Sequence, residues 1–432
     1  MLKLYLIFFI VFINKKNNNF ILIISLISLF ILLLIGDSII FNNIYFYLDL
    51  FRINLILLTF WLRGLSIIRI KFLLIFKSNK NFNLIIYILI LRLLITFSFK
   101  NRLIFYFRFE ISLIPIFFII LSWGSQRERI ISGLYLIFYT LFGSFPFFYV
   151  LVTLNSKFFI SLNYSELFLF RNFLRFFIFL PFLVKFPIYS LHIWLLKAHV
   201  EAPVVGSILL AGILLKLGGY GLIRTSLIWE FNIIIKEFLI RFRIWGGVII
   251  ALTCICIIDI KIMVAISSIV HIRFCVAGSL ILRKWRVKGI LIIIVGHGLC
   301  SSGIFYICNL FYEISFRRSL IILKGLLNLT PSLIFWLFLL CRSNISCPPS
   351  LNLIRELIIS ISIINWRFYL IIVISFLLFF SACYSLYLYF NLLHRNIIYF
   401  FFNFYNCLNY NIILICHWLP LNLFFLIIFI FC

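Results

Sequence analysis

The chain has 432 residues, of which 65% are hydrophobic and only 11% are charged, against about 25% charged in an ordinary soluble domain. No water-soluble fold hides that much apolar side chain, so the solvent of most of this chain is lipid. The formal net charge of +27 does not describe a nucleic-acid-binding face either, because the basic residues are dispersed through apolar runs. In chain order, the opening Leu2–Ile13 segment is followed by Lys15-Lys16-Asn17-Asn18-Asn19 and not by a small-residue cleavage site. It reads as a first span and a polar loop, with no Arg/Ser-rich presequence before it. Further apolar runs follow at Phe20–Ile35, Leu84–Phe99, Leu103–Leu121, Leu134–Leu154, Phe173–Leu195, Val204–Ile223, Ile290–Leu310, Leu320–Leu340 and Tyr369–Leu392. With the weaker segments they amount to about thirteen or fourteen spans at roughly 20 residues each. The runs are continuous and do not alternate with period two, which selects helices over a barrel. The expected fold is therefore all-α and polytopic, a single membrane domain over 1–432, with no room between spans for a soluble domain.

The chemistry is narrow. The sequence holds no GxGxxG, no P-loop and no Ser/His/Asp arrangement, so nothing in it binds a nucleotide or flavin by motif. The eleven cysteines lie scattered, mostly within apolar runs. Cys254 and Cys256 are the closest pair, and no CxxC occurs. Metal and disulfide frameworks need organised spacing, so these thiols read as inert and buried.

The informative residues are the ones lipid should exclude, since ionisable side chains inside spans are rare and usually functional. Glu110, Lys185, Lys216 and Glu356 lie within or beside apolar runs, and His192, His199, His271 and His297 join them. A lysine near a span end can instead carry its amine to the headgroups, which suits Lys157 and Lys197. Lys216 does not fit that description, having about a dozen mostly apolar residues before it and a glycine-rich stretch after it. His192 and His199 flank a polar break and are equally readable as loop residues. His297 lies in Gly296-His297-Gly298, where small neighbours permit close helix packing. Prolines stand beside the charges: Pro187 after Lys185, Pro203 after Glu201, and Pro348-Pro349 before Glu356. Proline breaks a helix, and in a membrane such a break survives only where protein or water re-satisfies the backbone. Broken helices with charges near them point to an ion pathway. The residues alone thus indicate an ion or proton transporter.

Two stretches carry a resemblance. One is Phe109-Glu110-Ile111-Ser112-Leu113-Ile114-Pro115, with Trp123-Gly124 and Gln126-Arg127-Glu128-Arg129 after it. The other runs from Val184-Lys185-Phe186-Pro187 through Lys197-Ala198-His199-Val200-Glu201-Ala202-Pro203 to Leu214-Leu215-Lys216-Leu217-Gly218-Gly219-Tyr220-Gly221. Gly296-His297-Gly298-Leu299 with Ser301-Ser302, Asn309 to Glu313 and Pro348 to Glu356 add to it. In these the chain resembles the antiporter-like membrane subunits of respiratory complex I, over a proton-translocating core of roughly 37–387, leaving 388–432 as a C-terminal membrane segment. The Lys-Ala-His-Val-Glu-Ala-Pro form is typical of a mitochondrial member. The resemblance implies two inverted repeats of five helices, each with one broken helix. It implies a place in the membrane arm, beside other membrane-arm subunits and the lipids of the mitochondrial inner membrane, and synthesis within the organelle. It implies no cofactor in this chain: NADH, FMN, the iron–sulfur clusters and ubiquinone belong to other subunits. The alternatives are a subunit of a cation/proton antiporter of the same ancestry and a membrane-arm subunit that no longer pumps.

The resemblance also assigns roles. Glu110 and Lys185 match a glutamate–lysine pair of a first half-channel, Lys216 a central lysine, Glu356 a terminal acid, and His271 and His297 histidines of the axis that connects them. These residue types suit proton transfer. Burial penalises an ammonium, a nearby carboxylate stabilises it, and at an effective dielectric of 20 a unit pair at about 4 Å interacts by about 4 kcal/mol. Moving such a pair apart releases a proton. One feature departs from the family. Arg52, Arg63, Arg92, Arg108, Arg175, Arg273 and Arg355 stand where a spanning helix should have none, at about 2.5–3.5 kcal/mol each for a helix centre. The chain has 2 methionines among many isoleucines. Many invertebrate mitochondria read AGA and AGG as serine and ATA as methionine. The expectation is that some of these arginines are serine, and some isoleucines methionine, in the polypeptide itself. If the arginines are real, Arg108 and Arg355 should lie close to Glu110 and Glu356.

Overall fold

In the computed structural model the described residues are 41–42, 47–73, 80–99, 101–124, 126–155, 164–226, 232–281, 284–327, 329–393 and 407–426. The expected first span, the run Phe20–Ile35 and Lys157 lie outside them. A short antiparallel ribbon, β1 (Phe41–Asn42) with β2 (Tyr47–Leu48), precedes an otherwise helical chain. The helices are α1 (Leu50–Leu73), α2 (Lys80–Ser98), α3 (Arg102–Ile111), α4 (Leu113–Trp123), α5 (Arg129–Asn155), α6 (Tyr164–Lys185), α7 (Ile193–Glu201) and α8 (Val204–Leu209). After a π turn at Leu210–Leu214 come α9 (Leu215–Ser226), α10 (Ile233–Ile255), α11 (Ile260–Leu280), α12 (Lys284–Ser315), α13 (Pro331–Asn344), α14 (Leu351–Trp366), α15 (Leu370–Leu393) and α16 (Cys407–Leu426). Among the described residues nine helical segments are long and apolar enough to cross a membrane, so the chain is an all-α polytopic membrane protein.

The apolar runs place most of these helices, but proline corrects two of them. Phe173–Leu195 is not one span. It ends as helix at Lys185 and resumes at Ile193, because Pro187 has no N–H for the Leu183 carbonyl. The Ile188 N–H takes that carbonyl at 3.3 Å, and the Trp194 indole N–H caps the freed Val184 carbonyl at 3.0 Å. Leu320–Leu340 does not start as helix either. Its first part is a string of turns with Gly325 at φ 83°, and α13 begins at Pro331, where a missing N–H has no helical partner to lose. The run Leu103–Leu121 survives with an interruption at Ser112. Pro115 leaves the Ile111 carbonyl without its helical donor, and Arg92 Nη1 donates to it at 2.9 Å.

Burial orders the bundle. An 18-residue window of α12 is wholly inside, and those of α11 and of the α8–α9 segment are 94% buried. α12 packs against α1, α8, α9, α11, α13, α14 and α16. Around this centre, α5, α10 and α15 turn large apolar side chains outward, among them Phe138, Phe142, Phe238, Trp245 and Phe379. That is the surface lipid or a neighbouring subunit would cover. Glycines set the closest approaches at the centre. A Cβ on Gly298 would stand 3.2 Å from the Gly212 carbonyl oxygen, and one on Gly221 would fall 2.1 Å from Phe182 Cε1. Gly221→Ala is expected to push α9 off α6 and destabilise the subunit by about 1–3 kcal/mol, the usual cost of overpacking. Thermal inactivation of the solubilised protein measures it; an unchanged midpoint would refute this packing.

Candidate functional site

Two polar clusters lie inside the apolar bundle. The first sits where α6 breaks. Lys185 is the last residue of α6 and is buried. Its Nζ lies 3.3 Å from Glu110 Oε1 and donates to the Phe109 carbonyl at 3.0 Å. It also stands 3.0 Å from the centroid of the Phe109 ring, so the ammonium has a carboxylate, a carbonyl and an aromatic face in place of water. Arg108 does not join it. It points away along α3, with its guanidinium over the Phe99 ring at 5.9 Å.

The second cluster runs through the three most buried segments. The π turn at Leu210–Leu214 inserts an extra residue just before α9, a device that re-aims side chains at functional sites. The side chain that follows is Lys216, whose Nζ lies 2.8 Å from His297 Nδ1 on α12. Gly298 makes room, since a Cβ there would stand 3.4 Å from Lys216 Cε. The His297 ring neighbours that of His271 on α11, centroids 5.6 Å apart. His271 Nδ1 lies 3.5 Å from Glu356 Oε1 on α14, and His271 Nε2 lies 3.0 Å from the Tyr384 hydroxyl on α15. The Ser346 hydroxyl donates to Glu356 Oε2. Arg355 Nη2 touches both acid and imidazole, at 3.4 Å from each. Lys216, His297, His271 and Glu356 thus form a buried row through α9, α12, α11 and α14. No hydrogen bond joins Lys185 to Lys216 among the described residues.

The two breaks share a detail. Ser190, between α6 and α7, has φ 77°, and Ser346, between α13 and α14, has φ 64°. Both are left-handed, a conformation that side chains other than Asn, Asp and Gly adopt rarely. At the second break that turn aims the hydroxyl at Glu356.

The remaining sequence candidates fall to either side. His199 is buried and stacks on Phe305 at 4.6 Å with rings 6° from parallel; neither of its nitrogens has a hydrogen-bond partner among the described residues. His192 stands at the residue before α7, with no side-chain hydrogen bond to the helix end. Lys197 rests over the Tyr135 ring at 3.7 Å. Sequence reasoning missed Tyr384 and Ser346, polar residues among apolar ones with no charge to mark them. It also missed Lys261, buried at the start of α11, and the Arg69–Glu313 pair, in which Asn309 also donates to Glu313 at 2.7 Å. No group of three or more His, Cys, Asp or Glu suited to a metal occurs among the described residues.

Residues 99–381 match the family model for the transmembrane part of NADH:quinone oxidoreductase and Mrp antiporters. NADH-ubiquinone oxidoreductase chain 4 of Ceratitis capitata is 42% identical, covering 89% of this chain and 87% of that one. Its counterpart from Aedes aegypti is 40% identical, covering 96% and 95%. Among solved structures, respiratory complex I from Thermus thermophilus with bound NADH contains a chain that superposes with a TM-score of 0.76 at 17% identity, covering 93% of this chain and 90% of that one. The Mrp complex from Dietzia contains one with a TM-score of 0.70 at 18% identity, covering 79% and 39%. The two solved structures share the fold, and the curated relatives share the sequence along nearly its whole length: the chain belongs to the NADH:quinone oxidoreductase/Mrp antiporter family, with NADH-ubiquinone oxidoreductase chain 4 as its matching members.

Proposed function

We propose that the chain is a membrane-arm subunit of NADH:ubiquinone oxidoreductase in the mitochondrial inner membrane, and that it moves protons across that membrane while electrons pass from NADH to ubiquinone in other subunits. The observation that carries this is the buried row Lys216, His297, His271 and Glu356, with the Glu110–Lys185 pair beside it. Each member can hold or release a proton, and burial makes each proton's position depend on the charge next to it. In this reading Lys185 is loaded while Glu110 faces it. Separation of the pair drives the proton toward Lys216, whose neutral amine takes it, and the two imidazoles pass it to Glu356. A finer architecture accompanies it: about thirteen or fourteen spans in two inverted five-helix repeats over a 37–387 core, supported by the two breaks with their left-handed serines. The outward apolar faces of α5, α10 and α15 would meet lipid and the adjoining membrane-arm subunits. A cation/proton antiporter subunit would use the same lysines, and the fold is common to both. The chain 4 relatives favour the redox-linked role.

Lys216→Ala in the assembled complex tests it. The expected result is loss of proton pumping coupled to NADH oxidation, read as protons translocated per electron in sealed vesicles. An unchanged ratio would reduce the chain to a structural subunit.

A further inference from the structure

α16 has no role in the row described above, yet it carries a buried histidine. His417 has no exposed surface and lies on the C-terminal helix, among Ile413, Leu414, Cys416, Trp418 and Leu421. Its Nδ1 lies 3.1 Å from the Ser302 hydroxyl on α12, and its Nε2 has no hydrogen-bond partner among the described residues. The Ser302 hydroxyl also reaches the Leu299 carbonyl at 3.1 Å. If its one proton goes to that carbonyl, the imidazole donates from Nδ1 and leaves Nε2 a bare acceptor. If it goes to the ring, Nε2 carries an unpaired N–H. Either tautomer leaves a buried polar atom unsatisfied, which native interiors avoid by holding a water.

Other buried polar groups lie along the same helix α12. Ser301, next to Ser302, donates to the His297 carbonyl at 2.7 Å. On the α13 side of α12, Cys300 Sγ lies 3.3 Å from Ser343 Oγ, and Asn352 Nδ2 donates to the Ser343 carbonyl at 2.6 Å. Asn352 is one helical turn before Glu356, and its Oδ1 is a second buried atom without a hydrogen-bond partner among the described residues. α16 is also tied to the break itself. With the Asn422 amide turned to donate to the Pro349 carbonyl, its oxygen accepts from the Trp418 indole at 3.2 Å. Buried polar groups therefore stand along α12 on its α13, α14 and α16 sides, from the level of His297 to His417.

We propose that His417 is a further proton-carrying residue of this subunit, the end of a hydrated side branch from the Glu356 end of the row. Water at Asn352 Oδ1 and at His417 Nε2 completes the branch. A proton taken from that water at Nε2 converts the imidazole to imidazolium, with Nδ1–H donating to Ser302; release to the water reverses the step. Nothing is oxidised, and the water's proton is made up from the branch. The inference rests on the proton-translocating reading of Lys216 and Glu356.

The test uses the assembled complex. A density map that resolves ordered waters should place one within hydrogen-bond distance of His417 Nε2 and one at Asn352 Oδ1; dry apolar contact at Nε2 would overturn the branch. His417→Asn keeps a polar group near Ser302 but cannot titrate. Fewer protons pumped per electron in His417→Asn, to the level of His417→Phe, supports proton carriage. Full pumping in His417→Asn with loss only in His417→Phe assigns His417 a packing role and overturns the proposal. If a variant does not assemble, the water positions decide. Lys216→Ala serves as the control: normal pumping there removes the underlying reading, whereas loss there with full pumping in His417→Asn removes only the branch.

Discussion

Removing Glu110 alone should harm the subunit more than removing it together with Lys185. The two groups meet at 3.3 Å with side chains 14% and 5% exposed. Deleting one partner of such a buried pair leaves a charge with no compensation, a loss of about 3–5 kcal/mol, while replacing both by apolar groups is often close to neutral. Glu110→Ala is therefore expected to reduce the assembled complex recovered on a native gel and to speed its thermal inactivation. Glu110→Ala/Lys185→Ala should recover most of the stability. Neither variant should pump, because the proposed loading site is gone in both. Stability and function separate in this cycle. Equal stability of the single and double variants would mean that the two residues are not coupled. A double variant with a normal number of protons per electron would take the pair out of the pathway.

The fold was legible where a long apolar run carries no proline. Ile290–Leu310 became the core of α12, and Tyr369–Leu392 became α15. Leu134–Leu154 became α5 even with Pro146 inside it. It was less legible where hydropathy stays high through a break. Phe173–Leu195 and Leu320–Leu340 read as spans because a hydropathy window averages over Pro187 and over the turns before Pro331. The site residues announced themselves by charge, since a lysine or glutamate in lipid has to be explained. Their partners did not. Lys216 meets His297 across 81 residues and Tyr384 meets His271 across 113, separations that periodicity within one helix cannot connect. Ser346 and Tyr384 carry no charge, so their place beside Glu356 and His271 emerges only from packing. The Lys216 environment depends on the π turn before it, a one-residue insertion that the Leu-Ala-Gly-Ile-Leu stretch does not betray.

Peptide mass spectrometry of the native protein is expected to find serine at Arg243, Arg273 and Arg355. Arg243 and Arg273 are 2% and 1% exposed, and each leaves Nε and Nη2 without a hydrogen-bond partner among the described residues. Arg243 reaches one carbonyl, that of Val276 at 3.4 Å, and Arg273 reaches that of Gly246. Neither has a carboxylate in an ion pair among the described residues. A guanidinium buried on those terms is costly, since a charged group without pairing and full hydrogen bonding loses far more solvation than it regains. A serine hydroxyl at the same positions would bond the carbonyl one turn back, as Ser267, Ser268 and Ser279 do on α11, the helix of Arg273. The family resemblance adds that methionine should replace Ile272, beside His271. At Arg355 the outcome decides chemistry as well as stability. With serine there, Glu356 keeps the Ser346 hydroxyl and His271 as its neighbours and is free to gain and lose a proton as the row requires. With arginine confirmed, a guanidinium stands 3.4 Å from both Glu356 and His271, a fixed cation at the end of the proposed proton path. The terminal step would then need another acceptor, and pumping should be insensitive to Glu356→Gln. Serine at Arg355, together with loss of pumping in Glu356→Gln, is the combination expected.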